Sequence, residues 1–134
     1  MANILVAEDE QAVRHLVSRA LRMDGHSVCE ADDGEEALEL LTEAGGGFDL
    51  ILSDIRMPAM TGIELAHEAA RRWPRIRILL MTGYAEQKEA AEDLVAIVED
   101  ILDKPFAISD VRKRVFEILA RPAGTAAACE AVCA

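Results

Sequence analysis

Short apolar runs alternate with longer amphipathic runs along most of the chain, and this alternation constrains the fold more than any other feature. Asn3 to Ala7 is apolar enough for a strand. Glu10 to Asp24 follows, with Val13, Leu16, Val17, Ala20 and Leu21 at helical spacing and Gly25 at the position of a helix C-cap. His26 to Ala31 reads as a polar, edge-type strand, and Glu35 to Ala44 as a helix with Ala37, Leu38 and Leu41 inward. Phe48 to Ser53 holds the unbroken run Leu50-Ile51-Leu52, typical of a strand covered on both faces. Gly62 to Arg72 is a third helix, and Ile76 to Met81 a strand interrupted only by Arg77. Glu86 to Leu94 reads as a fourth helix and Val98 to Leu102 as a fifth strand. Ile108 to Ala120 is the last helix, with Val111, Val115, Ile118 and Leu119 inward.

Strands that alternate with helices predict one parallel sheet with helices on both faces. Right-handed crossovers restrict that sheet to a doubly wound α/β arrangement. The length, 134 residues, suits one domain. After Arg121-Pro122 the chain turns to small residues, with Val132 the only large aliphatic one. Residues 1–121 are therefore expected to form the domain and 122–134 a short flexible tail.

Charge and cysteine content narrow the function. Fourteen basic against 25 acidic residues leave a net charge of −11, which argues against nucleic acid and against an anionic membrane surface. No apolar run approaches the roughly 20 residues of a membrane span, and the first residues lack the features of a signal peptide. Three cysteines do not suggest a disulfide framework, so a cytoplasmic location is expected. Cys29 reads as a small core residue, His15, His26 and His67 as surface or packing residues, and Asp110 and Arg114, four apart on the last helix, as an ordinary surface pair.

In an open parallel sheet, function gathers at the carboxyl ends of the strands. Glu8, Asp9 and Glu10 follow the first predicted strand, Asp54 the third, Thr82 and Gly83 the fourth, and Lys104 and Pro105 the fifth. Asp32-Asp33-Gly34, after the second, looks like a turn. Carboxylates gathered at one sheet edge need a cation, and an oxygen-rich set of this kind suits Mg²⁺. A carboxylate can also act as a nucleophile toward phosphorus, giving an aspartyl phosphate. Lys104 could pair with the incoming oxygens and Thr82 could donate a hydrogen bond to one. Each residue alone has a plainer reading: Asp54 as a loop carboxylate, Glu8 and Asp9 as helix-capping acids, Thr82 as a structural hydroxyl, Lys104 as a solvated charge.

Taken together, Ile4-Leu5-Val6-Ala7-Glu8-Asp9, Asp54-Ile55-Arg56-Met57-Pro58-Ala59-Met60-Thr61-Gly62, Leu79-Leu80-Met81-Thr82-Gly83 and Asp103-Lys104-Pro105-Phe106 resemble the receiver domain of bacterial response regulators, over roughly residues 3–120. The resemblance implies a flavodoxin-like sheet of strand order 2-1-3-4-5. It implies Asp54 as phospho-acceptor, Thr82 as switch hydroxyl and Lys104 as phosphate partner. It also implies Mg²⁺ held by Glu8, Asp9, Asp54 and the backbone carbonyl of Arg56, and a cis Lys104–Pro105 bond. Two positions depart from the pattern. Ile101 stands where the family usually has an aromatic switch residue, leaving Tyr84 as a substitute, and Thr61 stands where an acid is more usual.

The expected function is a single-domain regulator rather than an enzyme. A histidine kinase or histidine phosphotransfer protein would phosphorylate it, and its own surface would then bind a protein target. In the family that surface is the face of the fourth helix, fifth strand and fifth helix, here Ala90, Ala91, Leu94, Ile101 and the last helix. A narrower resemblance, carried by Met81 to Ala85, Lys104-Pro105-Phe106 and the short tail, is to CpdR-type regulators of alphaproteobacteria, which implies a role as adaptor for the ClpXP protease. The alternative is a phosphorelay shuttle or phosphate sink without a separate target. A phosphatase with an Asp nucleophile would need a second Asp where Arg56 stands.

Overall fold

The structure, a computed structural model, describes residues 2–83 and 97–121. Five strands form one parallel sheet in the order β2-β1-β3-β4-β5: β1 (Asn3–Ala7), β2 (Ser27–Ala31), β3 (Leu50–Asp54), β4 (Arg77–Thr82) and β5 (Asp100–Asp103). Four helices lie among the described residues: α1 (Gln11–Met23), α2 (Gly34–Glu43), α3 (Gly62–Arg72) and α4 (Ile108–Ala120). The expected helix Glu86 to Leu94, Tyr84 and the expected tail lie outside the described residues, so the helix expected to be fifth is α4.

Strand side chains alternate between two buried layers, as a pleat with period two requires. Ile4, Val6, Leu50, Leu52, Leu79 and Met81 pack with Val17 and Leu21 of α1 and Val111, Val115 and Ile118 of α4. Leu5, Ile51, Ile78 and Leu80 point the other way, onto Ala37 and Leu41 of α2 and Leu65 and Ala69 of α3. The sheet is therefore covered on both faces, as the run Leu50-Ile51-Leu52 predicts.

Two helix starts, those of α2 and α3, are capped by the side chain of the residue before the first turn. Thr61 Oγ1 accepts from the Glu64 N–H at 3.2 Å, and Glu64 Oε1 accepts from the Thr61 N–H at 3.0 Å, a reciprocal cap on α3. The Asp33 side chain caps α2 by accepting from the Glu36 N–H at 2.8 Å. Asp32-Asp33-Gly34 is thus a helix entry rather than a turn.

Three other expectations need correction. Leu16 is 57% exposed, because the buried stripe of α1 runs through Val17, Ser18 and Leu21. Cys29 is exposed, since β2 is an edge strand whose Ser27 and Cys29 face solvent while Val28 and Glu30 are half-covered. Asp110 and Arg114 do not pair along α4: Arg114 reaches Asp100 on β5, and Asp110 accepts from the Ala107 N–H at the helix start.

Candidate functional site

The ends of β1, β3 and β5 supply the central groups. Glu8 lies one residue past β1, in phase with Ile4 and Val6, and Lys104 one residue past β5, in phase with Leu102. Asp54, the last residue of β3, is in phase with Leu50 and Leu52. Alternation therefore directs all three toward the layer containing α1 and α4. Asp9 follows Glu8 on the way into α1. Thr82 ends β4 in the opposite phase, and it is 2% exposed. Its carbonyl accepts from the Lys104 N–H at 2.7 Å, which fixes the end of β5 against the end of β4.

Carboxylate oxygens of Glu8, Asp9 and Asp54 lie within 4.8 Å of one another. Glu8 is 1% and Asp54 6% exposed, whereas Asp9 is open to solvent. Lys104 Nζ stands 2.7 Å from Glu8 Oε1 and 3.4 Å from Asp54 Oδ2. Glu8 Oε2 also accepts from the Glu10 N–H at 3.1 Å, and the Glu8 carbonyl accepts from Arg14 at 2.7 Å. The Lys104–Pro105 peptide is cis.

Burial pushes the Asp54 carboxyl above its ordinary pKa, against the pull of the Lys104 ammonium. Burial, a hydrogen bond with Glu8 and the Glu8 charge raise that of Asp9. For Lys104 burial opposes the charge, but Glu8 and Asp54 outweigh it and hold its pKa above normal. Three close carboxylates with a single ammonium among them form an excess of negative oxygen at an open mouth. A small, hard cation with oxygen ligands fits this donor set.

A cleft of about 950 Å³ opens over the cluster. Asp9, Glu10, Asp54, Arg56 and Lys104 form its polar part; Val13, Leu16 and Phe106 form an apolar wall. Leu16, expected in the core, is part of this wall. Sequence reasoning placed Glu8, Asp9, Asp54 and Lys104 together, and the structure brings them together. It missed the wall, whose only signal was one more apolar residue on α1 than an inward stripe needs.

The loop after Asp54 is held by tight backbone packing. The Ile55 N–H donates to Met81 at 3.0 Å and the Gly62 N–H to the Ile55 carbonyl at 2.9 Å. A Cβ on Gly62 would lie 2.2 Å from the Asp54 carbonyl oxygen, so only glycine fits there.

Residues 4–116 match the response regulator receiver domain family. The chain is 39% identical over 118 residues to sensor kinase CckA of Brucella abortus, covering 88% of this chain and 12% of that protein. It is 35% identical over 119 residues to the response regulator receiver protein CpdR of the same organism, covering 89% of this chain and 98% of that protein. Among solved structures, the response regulator TrrA of Thermotoga maritima, in complex with Mg²⁺-BeF, superposes with a TM-score of 0.77 at 29% identity, covering 87% of this chain and 98% of that one. The chain thus spans a small part of the sensor kinase and nearly all of CpdR. It belongs to the receiver domain family of two-component response regulators.

Proposed function

We propose that Asp54 accepts a phosphoryl group from a histidine kinase or histidine phosphotransfer protein, and that the acyl phosphate controls binding of a protein target. The observation that carries this reading is the pair of distances from Lys104 Nζ, 2.7 Å to Glu8 and 3.4 Å to Asp54, beside the clustered carboxylates. An Asp54 oxygen attacks phosphorus while the P–N bond of the donor's phosphohistidine breaks, its electron pair returning to the imidazole nitrogen. Lys104 then exchanges part of its contact with Glu8 for a phosphoryl oxygen. Thr82 donates its hydroxyl to another.

Asp9, Asp54, Glu8 and the Arg56 carbonyl would hold Mg²⁺. Bound there, the ion supplies charge neutralisation between the carboxylates and the incoming phosphoryl oxygens. The Mg²⁺-BeF complex of the TrrA relative supports this assignment. The apolar wall of Val13, Leu16 and Phe106 offers a surface for the donor protein beside the reacting carboxylate.

Residues 1–121 act as the receiver unit and 122–134 as a tail, in the cytoplasm; no described helix is long and apolar enough to cross a membrane. The target binds the face that includes Ile101, half-buried on β5, and α4. Likeness to CpdR supports a stand-alone regulator that serves the ClpXP protease as an adaptor.

The test combines the protein with Mg²⁺ and a small acyl-phosphate donor. One phosphoryl group should appear, labile to hydroxylamine, and Asp54→Ala should take up none. A phosphoryl group on a hydroxyl side chain overturns the assignment. Pull-downs with wild type and Asp54→Ala should recover a target other than a kinase or phosphotransferase. Recovery of those donors alone supports a shuttle or phosphate sink instead.

A further inference from the structure

The sequence of α1, QAVRHLVSRALRM, contains three arginines, one histidine and no acid, in a chain of net charge −11. Part of this charge has an internal use. Glu30 on β2 faces Arg14 Nε at 3.5 Å, His15 Nε2 at 3.6 Å and Arg22 Nη2 at 3.2 Å. Arg22 also donates to the Val28 carbonyl at 3.0 Å, closing part of the outer edge of β2. One carboxylate thus stands against two guanidiniums and an imidazole. Arg19 adds a further exposed cation with no hydrogen bond or ion pair among the described residues. Beside it Met23 is 79% exposed. His15, Arg19, Arg22, Met23 and Glu30 line one shallow cleft of about 600 Å³.

We propose that this cleft docks an acidic segment of a partner protein, with carboxylates on Arg19 and Arg22 and an apolar side chain on Met23. Charge decides the class of occupant: a locally cationic, partly apolar face on a strongly anionic chain complements acidic residues and repels basic ones. The mode of docking follows from Arg22. Its bond to Val28 occupies an outward carbonyl of β2, so the partner seats side chains in the cleft rather than adding a strand. The surface is separate from the acidic site, since α1 turns Val13 and Leu16 to that site and Arg19 and Met23 to this one.

The experiment titrates the full chain into a fluorescent peptide of alternating Glu and Leu, with a Gln and Leu peptide as control. The Glu peptide should bind saturably and more weakly at high salt. It should lose about tenfold or more in affinity with Arg19→Glu plus Met23→Glu, at an unchanged urea midpoint. Amide shifts should map to α1 and β2. Equal binding of the Gln peptide, unchanged affinity in the double variant, or shifts confined to another face each overturn the proposal. So does the same loss seen for anionic vesicles but not for the peptide, which would make the surface a membrane contact. Loss of a dimer in the double variant, with no peptide binding, would assign the surface to a second copy.

Discussion

Lys104 lies closer to Glu8 than to Asp54, 2.7 Å against 3.4 Å. The ammonium is therefore held chiefly by a carboxylate that is 1% exposed, and Glu8 depends on it for compensation. Lys104→Met leaves that carboxylate without its cation, at a cost of about 1–3 kcal/mol near neutral pH. Glu8→Gln in the same chain removes the stranded charge and should restore part of the loss. Urea midpoints of the two single variants and the double variant check this. Strict additivity would show that the two side chains do not act as a pair.

Asp54 should destabilise the metal-free fold at neutral pH. Its pKa is raised in the folded state above the ordinary 3.8, mainly by burial. A carboxyl so shifted favours folding below its unfolded pKa, and that contribution is lost as pH rises through the folded value. Asp54→Asn should therefore match wild type near pH 3.8 and below, then become the more stable protein as pH rises toward neutrality. Asp9, raised by burial and by Glu8, acts in the same direction. Added Mg²⁺ should narrow the gap by stabilising wild type more than the variant. Thermal melts across pH, with and without Mg²⁺, decide the matter.

Gly62→Ala should damage the site from a distance. The new Cβ would meet the Asp54 carbonyl oxygen at 2.2 Å, and a backbone atom cannot swing aside as a side-chain tip does. Overpacking of this kind costs about 1–3 kcal/mol. The displaced Asp54 should also take up phosphoryl groups more slowly. A variant with full stability and full uptake would show that the loop adapts freely.

Much of this was legible because two simple rules agree. The unbroken apolar run Leu50-Ile51-Leu52 shows a strand covered on both faces, and the period-two pleat, followed to the strand ends, brings Glu8, Asp54 and Lys104 to one side. Elements failed where a residue serves a neighbour far away in sequence. Leu16 fits the helical spacing of a core residue, yet it borders a cleft whose other wall, Phe106, comes from beyond β5. Cys29 lies on a strand whose edge position could be anticipated, but how far the neighbouring helices cover it could not. Thr61 and Glu64 spell a capping box in the sequence. Thr61 thus acts as a helix cap, for which an acid at that position is not needed.

Arg77 is the clearest case of a sequence irregularity with a structural cause. It interrupts an otherwise apolar run, and nothing local accounts for it. In the fold its guanidinium crosses to the end of α4, donating to the Ile118 carbonyl at 2.5 Å and the Arg121 carbonyl at 2.6 Å. The last carbonyls of a helix carry partial negative charge, so a cation there is favourable even though the Ile118 carbonyl also accepts from the Arg121 N–H at 3.2 Å. The side chain is only 10% exposed, and Glu99, 4.0 Å away, balances part of its charge. Arg77→Met keeps most of the apolar stem but removes both donors. It should cost about 0.5–1.5 kcal/mol, the range for ordinary hydrogen bonds, because the Ile118 carbonyl keeps the Arg121 N–H and Arg121 itself is exposed. The loss should be concentrated at the end of α4: amide exchange of Ile118 to Arg121 should accelerate more than that of β1 or β3. Uniform acceleration across the sheet would instead mean that Arg77 stabilises the core as a whole, and that the end of α4 does not depend on this contact.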